Sequence, residues 1–129
     1  MNIFLKLLVI ILIIFLNSCS KKEEKISIIQ EKEIQLQMID AYKEGVKALE
    51  EGDVLFAAKK FNEAEILFPQ SVWASKSILM AAYSYYTQDY YYDAITELER
   101  FIKIYPKDKR LNYAHFLLAM CYYEQIIEK

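Results

Sequence analysis

Residues 81–106, AAYSYYTQDYYYDAITELERFIKIYP, decide the fold, because their pattern recurs on both sides of them. Moving the chain by 37 residues sets Gly45 on Ala82, Ala57 on Ala94, Phe61 on Leu98 and Pro69 on Pro106. The same step carries Ala82 to Ala119, Tyr85 to Tyr122 and Tyr86 to Tyr123, so a third copy begins there. Within a copy the apolar residues stand three and four apart, the spacing of one helical face. The whole sequence holds only two glycines and two prolines, too few for the tight turns of a sheet-rich protein. The reading is all-α, with helices predicted at about 35–51, 54–68, 72–88, 90–105 and 110–127.

These slots resemble the tetratricopeptide repeat, in which a small residue lies on the first helix of a hairpin and A-x3-F followed by Pro marks the second. Gly45, Ala57, Phe61 and Pro69 fill them in the first copy, although Ala48 stands where an aromatic is usual. Ala82, Tyr85, Ala94, Leu98 and Pro106 fill them in the second, with Leu98 in place of Phe. Small residues let the two helices approach, and the bulky side chain fills the space beside them. A lone hairpin cannot cover its own apolar face, so copies must stack into an α-solenoid, here of about two and a half repeats. The period exceeds the usual 34 residues by three, close to the 3.6 of a helical turn. That places an extra turn around Ser71–Ser75 and Asp108–Asn112, with Ser71 and Asp108 as predicted caps.

The opposite end differs in composition. Met1 to Lys6 carries one positive charge, Leu7 to Leu16 is unbroken apolar sequence, and Asn17, Ser18, Cys19 and Ser20 follow. This is the anatomy of a signal peptide rather than of a span, which needs roughly 20 apolar residues. Leu16-Asn17-Ser18-Cys19 resembles the lipobox of bacterial lipoproteins, with Asn17 departing from the small or hydroxyl residue usual at its place. The resemblance implies that Cys19 is acylated and becomes the first mature residue; Ser20 after it implies transport to the outer membrane. Acyl chains contribute about 0.8 kcal/mol per buried methylene, so several of them anchor a protein firmly. The expected organisation is a lipoprotein signal peptide at 1–18, a lipidated cysteine and polar tether at 19–34, and a tetratricopeptide-like domain at 35–129. Cys121 is then the single mature thiol, and its apolar helix suits a buried small hydrophobe.

Tyr42 to Ile126 resembles the BamD family, lipoprotein subunits of the machinery that assembles β-barrels in the outer membrane. The residues that carry the resemblance are Glu44-Gly45, Glu51-Gly52-Asp53, Phe68-Pro69 and Trp73-Ala74, then Ala81-Ala82-Tyr83 and Tyr85-Tyr86. Glu99-Arg100-Phe101-Ile102, Tyr105-Pro106 and Tyr122-Tyr123-Glu124-Gln125-Ile126 continue it. Family members carry about five repeats, so the chain looks like the N-terminal half of one. The resemblance implies a lipid-anchored scaffold facing the periplasm that receives unfolded outer-membrane proteins. It implies as partners a BamA-like barrel-forming subunit and the other assembly lipoproteins. Another periplasmic repeat lipoprotein, assisting secretin or pilus assembly or regulating cell-wall synthesis, is the alternative.

Counting from the small slot gives candidate groove residues on the first helix of each copy: Tyr42, Val46 and Leu49; Leu79, Tyr83 and Tyr86; Phe116, Met120 and Tyr123. Each trio follows i, i+4, i+7. Such a surface suits an extended segment with alternating apolar side chains and a terminal aromatic. Repeat domains of the carboxylate-clamp type hold a C-terminus with Lys, Asn and Arg, where Tyr42, Val46, Met80, Tyr113 and Leu117 stand here, so that arrangement is not expected. The 16 basic and 18 acidic residues form no basic patch for nucleic acid. Lone His115 has no acid or nucleophile at motif spacing, and neither a phosphate loop nor a metal-ligand cluster occurs, so neither catalysis nor a cofactor beyond the lipid on Cys19 is expected. A third copy without its second helix would leave the apolar face of residues 113 to 123 uncovered.

Overall fold

The computed structural model describes residues 28–127, and among them five helices follow one another without a strand. They are α1 (Ile28–Glu50), α2 (Val54–Leu67), α3 (Val72–Tyr86), α4 (Tyr91–Ile104) and α5 (Leu111–Ile127). Each packs chiefly on the next, and α3 also touches α5, the layout of a stack of hairpins. The signal peptide at 1–18 and Cys19 lie outside the described residues. Helix α1 starts at Ile28, so residues 28–34 of the expected tether are helical. Gln30 to Gln37 contains no Gly or Pro and is rich in Gln, Glu and Lys, which favour a helix as strongly as they favour water.

The small-and-bulky slots behave as the spacing demands. A Cβ built on Gly45 would lie 2.9 Å from two ring carbons of Phe61, so the glycine is what lets α2 press its phenyl group onto the backbone of α1. Phe61, Ala57, Ala58 and Ala64 are fully buried with Met38, Ala41 and Ala48 around them. In the second copy, Ala82, Ala94, Leu98 and Phe101 are likewise at zero exposure, with Ala114, Leu117 and Cys121 of α5 closing the cluster. Cys121 is thus a core residue, and burial pushes its thiol up to about 11, so it stays protonated at neutral pH.

The turns repeat as well. Gly52 has φ +83°, with Asp53 N–H donating to the Ala48 carbonyl at 2.9 Å and Gly52 N–H to that of Leu49 at 3.1 Å. This is the left-handed stop in which the last carbonyls of a helix regain donors. Asp89, 37 residues on, has φ 63° with the same pair of bonds, Tyr90 N–H to Tyr85 and Asp89 N–H to Tyr86. Aspartate tolerates this conformation better than most residues, and its Oδ1 accepts from the Tyr91 hydroxyl at 2.7 Å. At the helix starts, Asp53 accepts from Phe56 N–H and Ser71 from Ala74 N–H, both at 3.1 Å. Asp108 accepts from Arg110 N–H at 2.8 Å, one residue before α5 begins.

Candidate functional site: an apolar cleft between the first helices

The second helices are joined by polar groups and the first helices by apolar ones. Arg100 of α4 donates to Glu65 of α2 at 2.8 Å and to Asn62 at 3.3 Å, while Glu97 takes both Arg100 and the Asn62 amide. Glu65 is only 6% exposed, and burial pushes its carboxyl up against the pull of Arg100. Glu65 Oε2 lies 2.7 Å from the same guanidinium without accepting a hydrogen bond, so that oxygen is held by charge.

On the other side, α3 and the start of α5 enclose a cleft of about 270 Å³ lined by Lys76, Leu79, Met80, Tyr83, Arg110 and Tyr113. Its walls are almost wholly carbon, so the two basic residues contribute mainly their aliphatic stems. Tyr83 is 38% and Tyr113 44% exposed, so ring surface faces water beside the cleft. Burial pushes the Tyr113 phenol up, which keeps it a neutral donor at physiological pH. The charged heads sit at the margin. Lys76 Nζ lies 4.8 Å from the ring centroids of both Tyr42 and Trp73. Arg110 donates to Asp108 through Nε at 2.8 Å and through a terminal nitrogen at 2.7 Å, and to Ser75 Oγ at 2.7 Å. Arg110 in turn holds the Asp108 carboxyl far below its usual range, chiefly through its side-chain hydrogen bonds.

The candidate trios divide by exposure. Leu79 and Tyr83 meet in the cleft, Leu79 as its buried floor. Tyr42 is 8% exposed, with ring edges against Phe61 at 5.2 Å and Trp73 at 5.0 Å, so it packs the hairpin beside the cleft. Val46 and Leu49 are half-buried against that same core. Tyr86 is half-buried, its ring 5.9 Å from Tyr91. Met120 is half-buried, whereas Phe116 at 60% and Tyr123 at 57% exposure stand open on α5, away from the cleft. The trios miss four of the six lining residues, Lys76, Met80, Arg110 and Tyr113; extending the second trio one turn back from Leu79 reaches Lys76, and the third one turn back from Phe116 reaches Tyr113. Arg110 precedes its helix, and no helical periodicity points to it.

Comparison with known proteins adds the family. The profile described as YfiO, an outer membrane lipoprotein, matches residues 34–129. The chain belongs to the YfiO family. Among curated relatives, this chain is 35% identical over 111 residues to outer membrane protein assembly factor BamD of Caulobacter vibrioides, covering 85% of this chain and 35% of that protein. It is 28% identical over 120 residues to the BamD of Rickettsia prowazekii, covering 92% of this chain and 45% of the relative. The BamD of Neisseria gonorrhoeae is 30% identical over 84 residues, 65% of this chain and 32% of the relative. The chain therefore spans about a third to just under half the length of these relatives, matching their N-terminal part. No described helix is long and apolar enough to cross a membrane.

Proposed function

We propose that the chain is the N-terminal, substrate-receiving part of an outer-membrane assembly lipoprotein, held to the membrane by lipid on Cys19 and facing the periplasm. The observation that carries the reading is the carbon-walled cleft on the first-helix face of a chain that belongs to this family. Its curated relatives are named as outer membrane protein assembly factors. An extended barrel segment places every second side chain on one face, and an aromatic or aliphatic residue of that face suits a slot between Leu79, Met80, Tyr83 and Tyr113. Tyrosines give such a slot contact area at small entropic cost while their hydroxyls stay wet. The partners proposed are unfolded outer-membrane proteins, a BamA-like barrel-forming subunit and the companion assembly lipoproteins. The protein acts by binding, without a catalytic step of its own.

Affinity purification from detergent-solubilised envelopes tests this. Co-purification of the barrel-forming subunit is the expected result, and enrichment of a secretin subunit or a wall hydrolase in its place would overturn it. Intact mass of the purified protein tests the anchor, which requires added acyl mass on Cys19. Paired Tyr83→Ser and Tyr113→Ser substitutions are expected to weaken binding of a barrel-derived peptide while leaving helix content unchanged.

A further inference from the structure

The two ends of the repeat stack differ in charge. Successive helices are joined by short turns and pack on one another, so they run antiparallel and their turns alternate between the two ends. The turns at 51–53 and 87–90 share one end and carry Glu51, Asp53 and Asp89 without a basic residue. Those at 68–71 and 105–110 share the other, where Lys107, Lys109 and Arg110 stand against Asp108 alone, and Lys103 lies in the last turn of α4 beside them. Asp108 is paired with Arg110. Lys103, Lys107 and Lys109 are exposed and make no ion pair among the described residues. At this basic end Ile66, Val72 and Ile104 are each at least half exposed, and Trp73 stands partly exposed next to Val72. The acidic end exposes Leu55 and Tyr92, so charge is what separates the two.

We propose that the basic end docks on an anionic phospholipid surface, Val72, Trp73 and Ile104 entering the headgroup layer while Lys103, Lys107 and Lys109 meet the phosphates. The docking rests on the proposed lipid at Cys19 and adds to it a second, reversible contact that orients the stack. Helix α1 begins at the basic end, because α1 and α3 both run from it. From Cys19 to Ile28, where α1 starts, an extended chain reaches at most about 32 Å. A tether of that length concentrates this end at the bilayer and leaves the acidic end pointing away. Helix α1 overhangs the start of α3 by about two turns, roughly 10 Å, so the stack meets the surface aslant rather than end-on. The side chains suit that layer. Tryptophan has an apolar body and a polar N–H, and lysine stems lie along apolar surface while their ammonium groups reach outward. An acidic protein would satisfy the lysines, but nothing holds one at the tethered end. Lys76 and Arg110 place the cleft toward the same end, so docking holds its opening beside the bilayer.

Trp73 makes the contact observable, because it is the single tryptophan of the sequence. The lipidated full chain is reconstituted into vesicles of phosphatidylcholine, with or without phosphatidylglycerol, and tryptophan emission is read with acyl-chain-brominated lipid as quencher. Quenching is expected with phosphatidylglycerol and only weakly without it, and it should fall away at about 1 M salt, where screening leaves a reach of about 3 Å. Each lysine near such a surface favours the docked state about fivefold, so Lys107→Gln with Lys109→Gln should lower the docked-to-free ratio roughly 25-fold. Tyr92→Ser, at the acidic end, should leave quenching unchanged. If circular dichroism shows that the lysine variant has lost helix, the salt titration of the unaltered chain decides alone. Equal quenching in the two compositions, or quenching that neither salt nor the lysine variant alters, would overturn the proposal. Trp73 left unquenched in every composition, in protein that carries acyl mass and floats with the vesicles, would also overturn it and leave this end to a protein partner. A chain without acyl mass on Cys19 that does not float would remove the anchor reading, and the docking with it, while leaving the cleft standing.

Discussion

The first two copies of the repeat solve one packing problem with different pairs of side chains. In the first, Gly45 offers no Cβ and Phe61 presses a phenyl ring into the gap at 2.9 Å from where that atom would stand. In the second, Ala82 adds a methyl group and Leu98 gives up the ring, and both are again fully buried. Volume moves from one helix to the other while the fit between them is kept, which is how close-packed cores tolerate substitution. The turns show the same trade. Gly52 reaches φ +83° without a side chain, whereas Asp89 reaches φ 63° with one that also holds the Tyr91 hydroxyl. The slot is defined by geometry, and residue identity follows from the neighbour that shares the space.

The largest effect expected from this comparison is Phe61→Ala, which empties the first copy at a cost of about 3–5 kcal/mol in urea unfolding. Leu98→Ala in the second copy should cost somewhat less, since it deletes a smaller side chain. Gly45→Ala overfills the first copy and is expected to cost about 1–3 kcal/mol. Adding Phe61→Leu to it recreates the second copy's pair, so the double variant should be more stable than the two single costs added together. A strictly additive double-mutant cycle would break the volume-trading account.

The next test compares Ser71, which caps α3, with Asp108, 37 residues on, which the spacing predicts as the cap of α5 but which lies three residues before it and ties the preceding turn instead. Ser71 accepts one backbone N–H, whereas Asp108 also binds the Arg110 guanidinium. Asp108→Asn is expected to cost about 1.5 kcal/mol at neutral pH. Its carboxyl is held below its ordinary value of 3.8, so the stability it contributes is present above about that pH and is lost as pH falls toward the folded value. The gap between native protein and Asp108→Asn should therefore narrow in thermal melts below pH 3.8, and Ser71→Ala should show no such dependence. The smallest effects are at the turns. Gly52→Ala meets no atom within 4 Å and should cost about 1–2 kcal/mol from the backbone alone. Asp89→Gly should change stability by less than about 1 kcal/mol, since relief of the left-handed strain offsets loss of the Tyr91 hydrogen bond.

The exposed face of α5 is a further difference between copies. Tyr83 of α3 borders a cleft closed by Tyr113, but Phe116, Tyr122, Tyr123, Ile126 and Ile127 stand between 45% and 74% exposed. Apolar periodicity puts these residues on the helix whatever packs beside them, so the spacing alone does not say which of them are covered.

What the sequence determined was the register: the 37-residue step placed the hairpins, their small-and-bulky contacts and the Ser71 cap, since helix packing depends on local spacing that any reader can count. It misjudged the start of α1, because Gln, Glu and Lys suit a helix and a solvated tether equally well. Which of the nine groove candidates face a shared space was decided only by the tertiary structure. Exposure at Tyr42, Leu79 and Phe116 depends on side chains arriving from other helices, so residues with the same helical phase end as core, cleft floor and open surface. Arg110 joins Lys76 for the same reason: 34 residues separate them in sequence, and the stacking of α5 against α3 brings their stems to one cavity.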